Sequence, residues 1–216
     1  LDRLLKVGEG REARLMEAMR YSSLGGGKRI RPFMVWASAR LFSVAESCAQ
    51  HVGAAIEMVH CYSLVHDDLP AMDDDDLRRG QPTCHVRFDE ATAILAGDAL
   101  LTRAFEVLAE PSSHPDPYVR NQLVLALAKA AGADGMVGGQ MLDLMAESAK
   151  LDMPEVTRLQ RMKTGALIAF SCEAGAILGK AAESARHALR AYAHDQGLAF
   201  QIADDILDIV GDEKKI

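Results

Sequence analysis

The stretch SLVHDDLPAMDDDDLRRG, from Ser63 to Gly80, packs six aspartates and two arginines into eighteen residues. Asp67 and Asp68 end an apolar helical pattern, where the helix dipole disfavours carboxylates. A hard divalent cation would offset that cost, because Mg²⁺ prefers carboxylate oxygens. A short bend after the helix would bring Asp73 to the same ion. The stretch therefore predicts a Mg²⁺ site formed by these three aspartates, with a solvated acidic loop as the alternative.

A second acidic segment, QIADDILD, carries its polar residues on one face of a predicted helix. These residues follow the spacing i, i+3, i+4 and i+7 and are Gln201, Asp204, Asp205 and Asp208. Residues spaced in this way share one helix face. Both segments offer carboxylates rather than thiolates or Glu-x-x-His pairs, which favours Mg²⁺ over zinc or iron. We expect the two segments to face each other across a helical bundle and to hold several ions.

Basic residues near the acidic segments would bind the phosphate groups of a substrate. Three of them lie in the glycine-rich turn GGGKRIRP: Lys28, Arg29 and Arg31. Such a turn before a helix presents both side chains and backbone N–H groups to a phosphate. Arg78 and Arg79 directly follow the first acidic segment, and paired arginines suit bidentate phosphate binding. Salt bridges to Asp73–Asp76 are the alternative.

Two further positions point to the same cavity. His60 lies seven residues before Asp67, on nearly the same helix face, although a buried structural histidine is the more usual case. In RMKTGALIAF, Lys163 and Thr164 precede Gly165 inside a long predicted helix. Glycine in a helix interior costs about 1 kcal/mol relative to alanine. A local break there would free carbonyl groups near the lysine and direct the threonine hydroxyl inward.

Almost the whole sequence predicts helix, because apolar residues recur at three-four spacing and alternating strand patterns are missing. Loops are predicted at GGGK, LPAMDDDD, EPSSHPDP and GADG. The helices are placed roughly at 11–22, 33–44, 48–68, 88–109, 117–131, 135–149, 155–179 and 185–211. Short loops between long helices predict an all-α antiparallel bundle. We expect it to form a single domain over residues 1–216.

Composition excludes several classes of protein. With 49% hydrophobic and 25% charged residues the chain is an ordinary globular one, and no apolar run is long enough to cross a membrane. A net charge of −7 argues against nucleic acid as a partner. The four cysteines lack zinc-site spacing and are interpreted as reduced thiols. The first residues, LDRLLKVGEG, lack a signal-peptide core, and we expect a cytoplasmic protein.

The order of these motifs resembles that of the trans-isoprenyl diphosphate synthases, most closely the bacterial short-chain farnesyl diphosphate synthases. The motifs concerned are GGGKRIRP, SLVHDDLPAMDDDDLRRG, GGQMLDL, KTGALI and GLAFQIADDILD. The resemblance covers essentially the whole chain. It implies an all-α bundle of the isoprenoid synthase type around a deep apolar cavity. It also implies three Mg²⁺ ions, replaceable by Mn²⁺, that bridge the two aspartate-rich segments to an allylic diphosphate.

The resemblance implies a role for each motif residue. The metal ligands are Asp67, Asp68, Asp73, Asp204, Asp205 and Asp208. The ligands of the allylic diphosphate are Arg78 and Lys163. The ligands of isopentenyl diphosphate are Lys28, Arg31, His60 and Arg79. The groups at the reacting allylic cation are Lys163, Thr164 and Gln201. Supporting positions in the GQxxDL helix are Gln140 and Asp143.

The implied reaction is the head-to-tail condensation of isopentenyl diphosphate with dimethylallyl or geranyl diphosphate, giving farnesyl diphosphate and pyrophosphate. It needs no covalent nucleophile, and the sequence offers no Ser/His/Asp or Cys/His arrangement. Tyr62 lies five residues before Asp67, about 7.5 Å back along the helix, with the small Ser63 beside it. In the family a bulky residue at this depth is the floor that stops elongation. Core packing is the alternative interpretation of Tyr62.

Other interpretations remain open. The alternatives are a geranylgeranyl diphosphate synthase, a non-catalytic subunit of a prenyl synthase heteromer, a class I terpene cyclase and a divalent-ion buffer. Family members are usually homodimers, and they continue past the second aspartate-rich segment into a lysine-containing loop and further helices. The sequence starts without methionine and stops at GDEKKI. We therefore expect it to lack the C-terminal part of the family fold, with a diphosphate-binding lysine and part of the cavity wall.

Overall fold

The structure, a computed structural model, describes residues 1–146 and 151–210. Its α-helices are, in chain order, α1 (Ala13–Leu24), α2 (Ile30–Arg40), α3 (Glu46–Asp67), α4 (Cys84–Arg87), α5 (Glu90–Ala109), α6 (Pro117–Ala131), α7 (Met136–Ala146), α8 (Met153–Gln160), α9 (Ala166–Leu178) and α10 (Glu183–Val210). A π-helical segment, Arg161–Gly165, joins α8 to α9 without a break. A small hairpin is formed by β1 (Leu77–Arg78) and β2 (Gln81–Pro82). The prediction of an all-α fold is confirmed.

Helix boundaries follow local capping signals. Helix α6 begins after Asp116, whose side chain accepts a hydrogen bond from the Tyr118 amide at 2.9 Å. Helix α8 begins after a capping box, in which the side chains of Asp152 and Glu155 each accept from the other's amide at 2.9 Å. Such reciprocal bonds satisfy amide groups that the first helical turn leaves unpaired. The box starts α8 slightly earlier than the sequence pattern predicted.

The β1–β2 hairpin was not expected from the sequence. Its two-residue turn has Arg79 and Gly80 at φ values of 54° and 74°, and Arg78 pairs with Gln81 across it. Two positive φ values suit the type I′ turn, whose twist matches that of antiparallel strands. Strands of two residues are too short to leave an alternating pattern, and so the sequence indicated only a loop.

The chain divides into two compact units. The first comprises Leu1–Ile30 and Ala54–Leu108; the second comprises Arg31–Gly53 and the described residues from Ala109 onward. Fully buried side chains in the first unit include Ile56, Met58, Val59, Leu100 and Leu108. Those in the second unit include Val35, Val52, Leu123, Leu127, Leu167 and Ile177. The single domain expected over residues 1–216 stays a prediction.

The four cysteines are all free. Cys61, Cys84 and Cys172 are buried, whereas Cys48 is half-buried. Burial raises the pKa of Cys61 and of Cys172 to about 11, so both thiols are protonated at neutral pH. These side chains therefore pack as small apolar groups.

Among the described residues, no helix is both long and apolar enough to span a membrane.

Candidate active site

The end of α3 carries the first aspartate-rich segment. After Asp67 the chain makes a tight bend, closed by the Asp73 amide, which donates to the Asp67 carbonyl oxygen at 2.9 Å. The Asp74 amide donates to the Leu69 carbonyl oxygen at 3.2 Å. This bend brings the backbone of Asp73 back to the last turn of α3, as the spacing predicted. The two outer aspartates of the motif are therefore neighbours.

Asp68 has a different environment. It is buried, and its carboxylate accepts from Arg78 Nε at 2.6 Å and forms a salt bridge with Nη2 of the same guanidinium. Burial raises the pKa of Asp68, although Arg78 acts in the opposite direction. Asp75 lies 3.3 Å from Arg78 Nη2 on the exposed side. Of the aspartates considered as alternative partners, Asp75 therefore pairs with Arg78, but its main partner is Asp68, which was not among them.

Among the side chains that the structure describes, no group of three His, Cys, Asp or Glu residues is already arranged to hold a metal ion. Asp67 and Asp73 are adjacent through the backbone, whereas Asp68 is engaged by Arg78. A metal-ligand role for these three aspartates stays a prediction. The donors at the bend are all carboxylate oxygens, which is the donor set that Mg²⁺ prefers.

The hairpin places Arg79 over the glycine-rich turn. Arg79 Nη1 donates to the Gly26 carbonyl oxygen at 2.9 Å. A Cβ atom at Gly27 would lie only 2.6 Å from the same nitrogen, so the guanidinium occupies the space that a side chain would need. Gly26 and Gly27 also have φ values of 105° and 108°, which favour glycine. The structure thus brings together Arg79 and the turn that carries Lys28.

The three basic residues of GGGKRIRP have different environments in the structure. Lys28 is exposed. Arg29 instead turns inward, forms a salt bridge with Glu57 and donates to the Ser23 carbonyl oxygen at 2.7 Å. Glu57 is only 3% exposed. Sequence reasoning missed this pair; the available signal was a single glutamate inside the apolar run of α3. Arg31 belongs to the second unit.

The remaining α3 residues lie before the bend. His60 and Ser63 are half-buried, and the Ser63 hydroxyl donates to the His60 carbonyl oxygen at 2.9 Å. Tyr62 is 6% exposed. Burial raises the pKa of Tyr62 to about 12, and the Asp67 carboxylate adds to the effect. Tyr62 is therefore a buried neutral phenol close to the first aspartate-rich segment.

In the second unit, Lys163 lies in the π-helical segment and pairs with Asp143 of α7. A Cβ atom at Gly139 would lie 2.6 Å from the Lys163 Cα atom and closer still to its amide nitrogen. Gly139 and Asp143 are four residues apart and share one face of α7. One helix face thus contacts both the backbone and the ammonium group of Lys163.

The π-helical segment replaces the local break predicted near Gly165. A π turn inserts one residue into a helix without ending it and is frequent at functional sites. Thr164 is half-buried in this segment. Gln140 follows Gly139 on α7, and its buried Nε2 atom has no hydrogen-bond partner in the described part of the chain. Asp143 contacts Lys163, and its supporting role stays a prediction.

The second aspartate-rich segment lies in α10, which runs to Val210. The predicted helical placement of Gln201, Asp204, Asp205 and Asp208 agrees with this backbone. Their side chains lie outside what the structure describes. The expected meeting of the two aspartate-rich segments therefore stays a prediction.

Comparison with known proteins agrees with these motifs. The farnesyl diphosphate synthase of Escherichia coli (strain K12) is 50% identical over 201 residues, which cover 92% of this chain and 67% of that protein. The farnesyl diphosphate synthase of Geobacillus stearothermophilus is 48% identical over 217 residues, covering 100% of this chain and 73% of the relative.

A solved structure is also similar. The apo crystal structure of an FPP/GFPP synthase from Zymomonas mobilis matches with a TM-score of 0.94 and 54% identity, over 98% of this chain and 80% of that one. The model of the polyprenyl synthetase family matches residues 12–216. A match of this extent, together with such identities, establishes that the chain belongs to the polyprenyl synthetase family.

Proposed function

We propose that this chain is a prenyltransferase that condenses isopentenyl diphosphate head-to-tail with dimethylallyl and geranyl diphosphates. The product is farnesyl diphosphate, and pyrophosphate is released. The observation that carries the proposal is the bend after α3, which brings Asp73 to Asp67 beside the arginine hairpin. Relatives with about half of their residues identical are named farnesyl diphosphate synthases.

The donor set fits Mg²⁺, with Mn²⁺ as a substitute. Asp67, Asp73 and Asp68 would hold ions at the end of α3. Asp68 pairs with Arg78 through Oδ1 and would bind an ion through Oδ2. The acidic face of α10, with Asp204, Asp205 and Asp208, would complete a site for three ions. When bound, these ions stabilise the negative charge that pyrophosphate gains as it leaves. All of these ligands are hard oxygen donors.

Arg78 and Lys163 bind the allylic diphosphate in this proposal. Asp68 occupies Nε and Nη2 of Arg78, which leaves the Nη1 donors for phosphate oxygens. Asp143 holds the Lys163 ammonium on one side, and an ammonium group has three donors. Each cation is therefore oriented before the substrate arrives, which reduces the ordering cost of binding.

Isopentenyl diphosphate binds to Lys28, Arg31, His60 and Arg79. The contact that supports this assignment is the one between Arg79 Nη1 and the Gly26 carbonyl oxygen. It fixes a guanidinium beside the exposed Lys28 on the glycine-rich turn. Two adjacent cations suit a diphosphate group.

The allylic cation forms as the C–O bond to pyrophosphate breaks. Oxygen dipoles of Thr164 and Gln201, and backbone carbonyls of the π-helical segment near Lys163, stabilise it. The double bond of isopentenyl diphosphate attacks the cation, a new C–C bond forms, and a proton is lost to the departing pyrophosphate. Tyr62 forms the floor that stops the chain at fifteen carbons, with Ser63 beside it.

A product assay tests the proposal. The full-length protein is incubated with isopentenyl and dimethylallyl diphosphates and Mg²⁺, and the dephosphorylated alcohols are separated by chromatography. We expect farnesol as the main product and no product with excess chelator. Absence of any prenyl alcohol with Mg²⁺ or Mn²⁺ would overturn the proposal.

A longer product is the second candidate, because the relative with 54% identity is described as an FPP/GFPP synthase. The same chromatogram separates the chain lengths. A main product of twenty or more carbons would replace farnesyl diphosphate in the proposal and would exclude Tyr62 as a floor at fifteen carbons.

Assembly and location complete the proposal. We infer a cytoplasmic homodimer from the resemblance to the family. Sedimentation equilibrium of the full-length protein gives its mass in solution directly, and a monomer at micromolar concentration would contradict the dimer.

A further inference from the structure

His66 packs directly against Tyr62. The two residues are four apart on α3, and their rings meet edge-to-face with centroids 5.7 Å apart and an interplanar angle of 81°. Long side chains in a helix lean toward its N-terminus. The imidazole of His66 therefore leans back over the Tyr62 ring.

The other side of the His66 ring is held by α5. His66 Nε2 lies 3.0 Å from the Ile94 carbonyl oxygen. A carbonyl oxygen can only accept, so Nε2 carries the hydrogen and donates it. This bond fixes both the tautomer and the direction of the ring.

Gly97 of α5 provides the space for the ring. A Cβ atom at this position would lie 2.8 Å from His66 Cε1 and closer still to Nε2. Glycine is unfavourable in the middle of a helix, and Gly97 is buried within α5. The close approach of the imidazole accounts for glycine at this position, since any larger residue would displace the ring.

We propose that His66 is a positioning residue for product length, because it holds the Tyr62 ring in its place. The inference rests on the proposed function, in which Tyr62 stops elongation. Tyr62 is on a helix that offers its side chain two common rotamers. The His66 ring, anchored by Ile94 and seated on Gly97, blocks movement of the phenol toward the end of α3. Without this contact the Tyr62 side chain can move aside, and the prenyl product can grow beyond fifteen carbons.

The experiment compares product lengths of the full-length protein with those of His66→Ala, Tyr62→Ala and the double variant. The ratio of twenty- to fifteen-carbon alcohol should rise roughly three- to tenfold in His66→Ala, the range that corresponds to losing one aromatic pair. The double variant should match Tyr62→Ala alone, since His66 acts through Tyr62. Incubations are run until product is measurable, so a slow variant still gives a ratio.

Two further variants separate positioning from a general structural role. Gly97→Ala should shift the ratio in the same direction, because it displaces the ring without changing either aromatic residue. His51→Ala is the matched control on α3: its Nδ1 contacts the Ser47 carbonyl oxygen at 2.7 Å, and its loss should leave the ratio unchanged. His51 lies eleven residues before Tyr62 in the sequence.

The outcomes are distinguishable. An unchanged product length in Tyr62→Ala overturns the floor assignment itself. A shift in Tyr62→Ala without one in His66→Ala and Gly97→Ala overturns only the role of His66. Additive shifts in the double variant also overturn it, because His66 would then act independently of Tyr62.

Discussion

Arg78 and Lys163 are proposed to bind the same diphosphate, and the two units hold them in different ways. The Arg78 and Lys163 side chains are 32% and 30% exposed, but their partners Asp68 and Asp143 are 4% and 40% exposed. Removing one partner of a buried ion pair is costly, whereas a pair that stays partly in contact with water contributes less. Lys163 is instead fixed through its backbone, by the contact with Gly139. Arg78 is thus positioned by its ion pair with Asp68, and Lys163 is positioned by the packing of its helix against Gly139.

Removing a cation itself should have the largest effect. Lys163→Ala is expected to lower kcat/KM for the allylic substrate about 10²- to 10³-fold, because one preorganised partner of the leaving group is lost. Lys28→Ala should mainly raise the KM for isopentenyl diphosphate. Steady-state kinetics with each substrate varied in turn check this division. Equal effects of both variants on both substrates would contradict two separate diphosphate sites.

Displacing Lys163 without removing it tests the role of packing. Gly139→Ala should lower kcat about 10²-fold, because a displacement of about 1 Å is enough to cost that much. Gly165→Ala is the matched control in the π-helical segment, where a Cβ atom meets nothing nearer than 3.8 Å. It should retain most of the activity. If Gly139→Ala behaves like Gly165→Ala in the kinetic assay, helix packing does not place Lys163.

The carboxylate partners should differ in their effect on stability. Asp68→Ala leaves the Arg78 guanidinium without its buried partner and should lower the free energy of unfolding by about 1–3 kcal/mol. Asp143→Ala removes a partner that is only half-buried and should cost less, about 0.2–1 kcal/mol. Urea unfolding of both variants measures the difference. Similar losses would show that burial of the partner does not distinguish the two cations.

The smallest expected effect is the pH dependence of stability. Here the buried Asp68 is compared with Asp89, an exposed carboxylate that pairs with Arg14. Hydrogen bonds from Arg14 and Thr92 lower the pKa of Asp89 to about 2, whereas burial raises that of Asp68. A lowered pKa adds stability above the unfolded value of about 3.9, and this stability is lost as the pH falls through the folded value. A raised pKa has the opposite sign, because the folded carboxyl takes up its proton first.

The stability of the wild type relative to Asp89→Asn should therefore fall between about pH 4 and pH 2. Relative to Asp68→Asn it should rise as the pH falls toward about 4. Urea unfolding at a series of pH values gives both slopes. Slopes of the same sign would mean that the buried and exposed carboxylates do not differ in this way.

The sequence predicted what depends on local pattern. The end of α3 at Asp67 and the return of Asp73 follow from an apolar period that stops just before Pro70. The irregular helix at Lys163 was predicted from Gly165, although its π form was not. Local spacing determines such features, because the residues involved are close together in the chain.

Contacts between distant residues could not be predicted in this way. The pairing of Arg29 with Glu57 spans 28 residues, and the seating of Arg79 on Gly26 spans 53. A helical period predicts contacts between residues three or four apart, and so it predicts neither of these pairings. Of three similar cations in one turn, only the fold decides which faces inward.

Because three of the four cysteines are buried, a thiol reagent should label the protein mainly at the fourth, Cys48. Protonated, enclosed thiols react slowly with maleimides, and Cys61, Cys84 and Cys172 are of this kind. Cys48, in the first turn of α3, is half-buried and is the cysteine most accessible to a labelling reagent. A fluorophore there would be attached nineteen residues before Asp67 in the sequence. It would label the protein at a residue outside the proposed metal and diphosphate ligands.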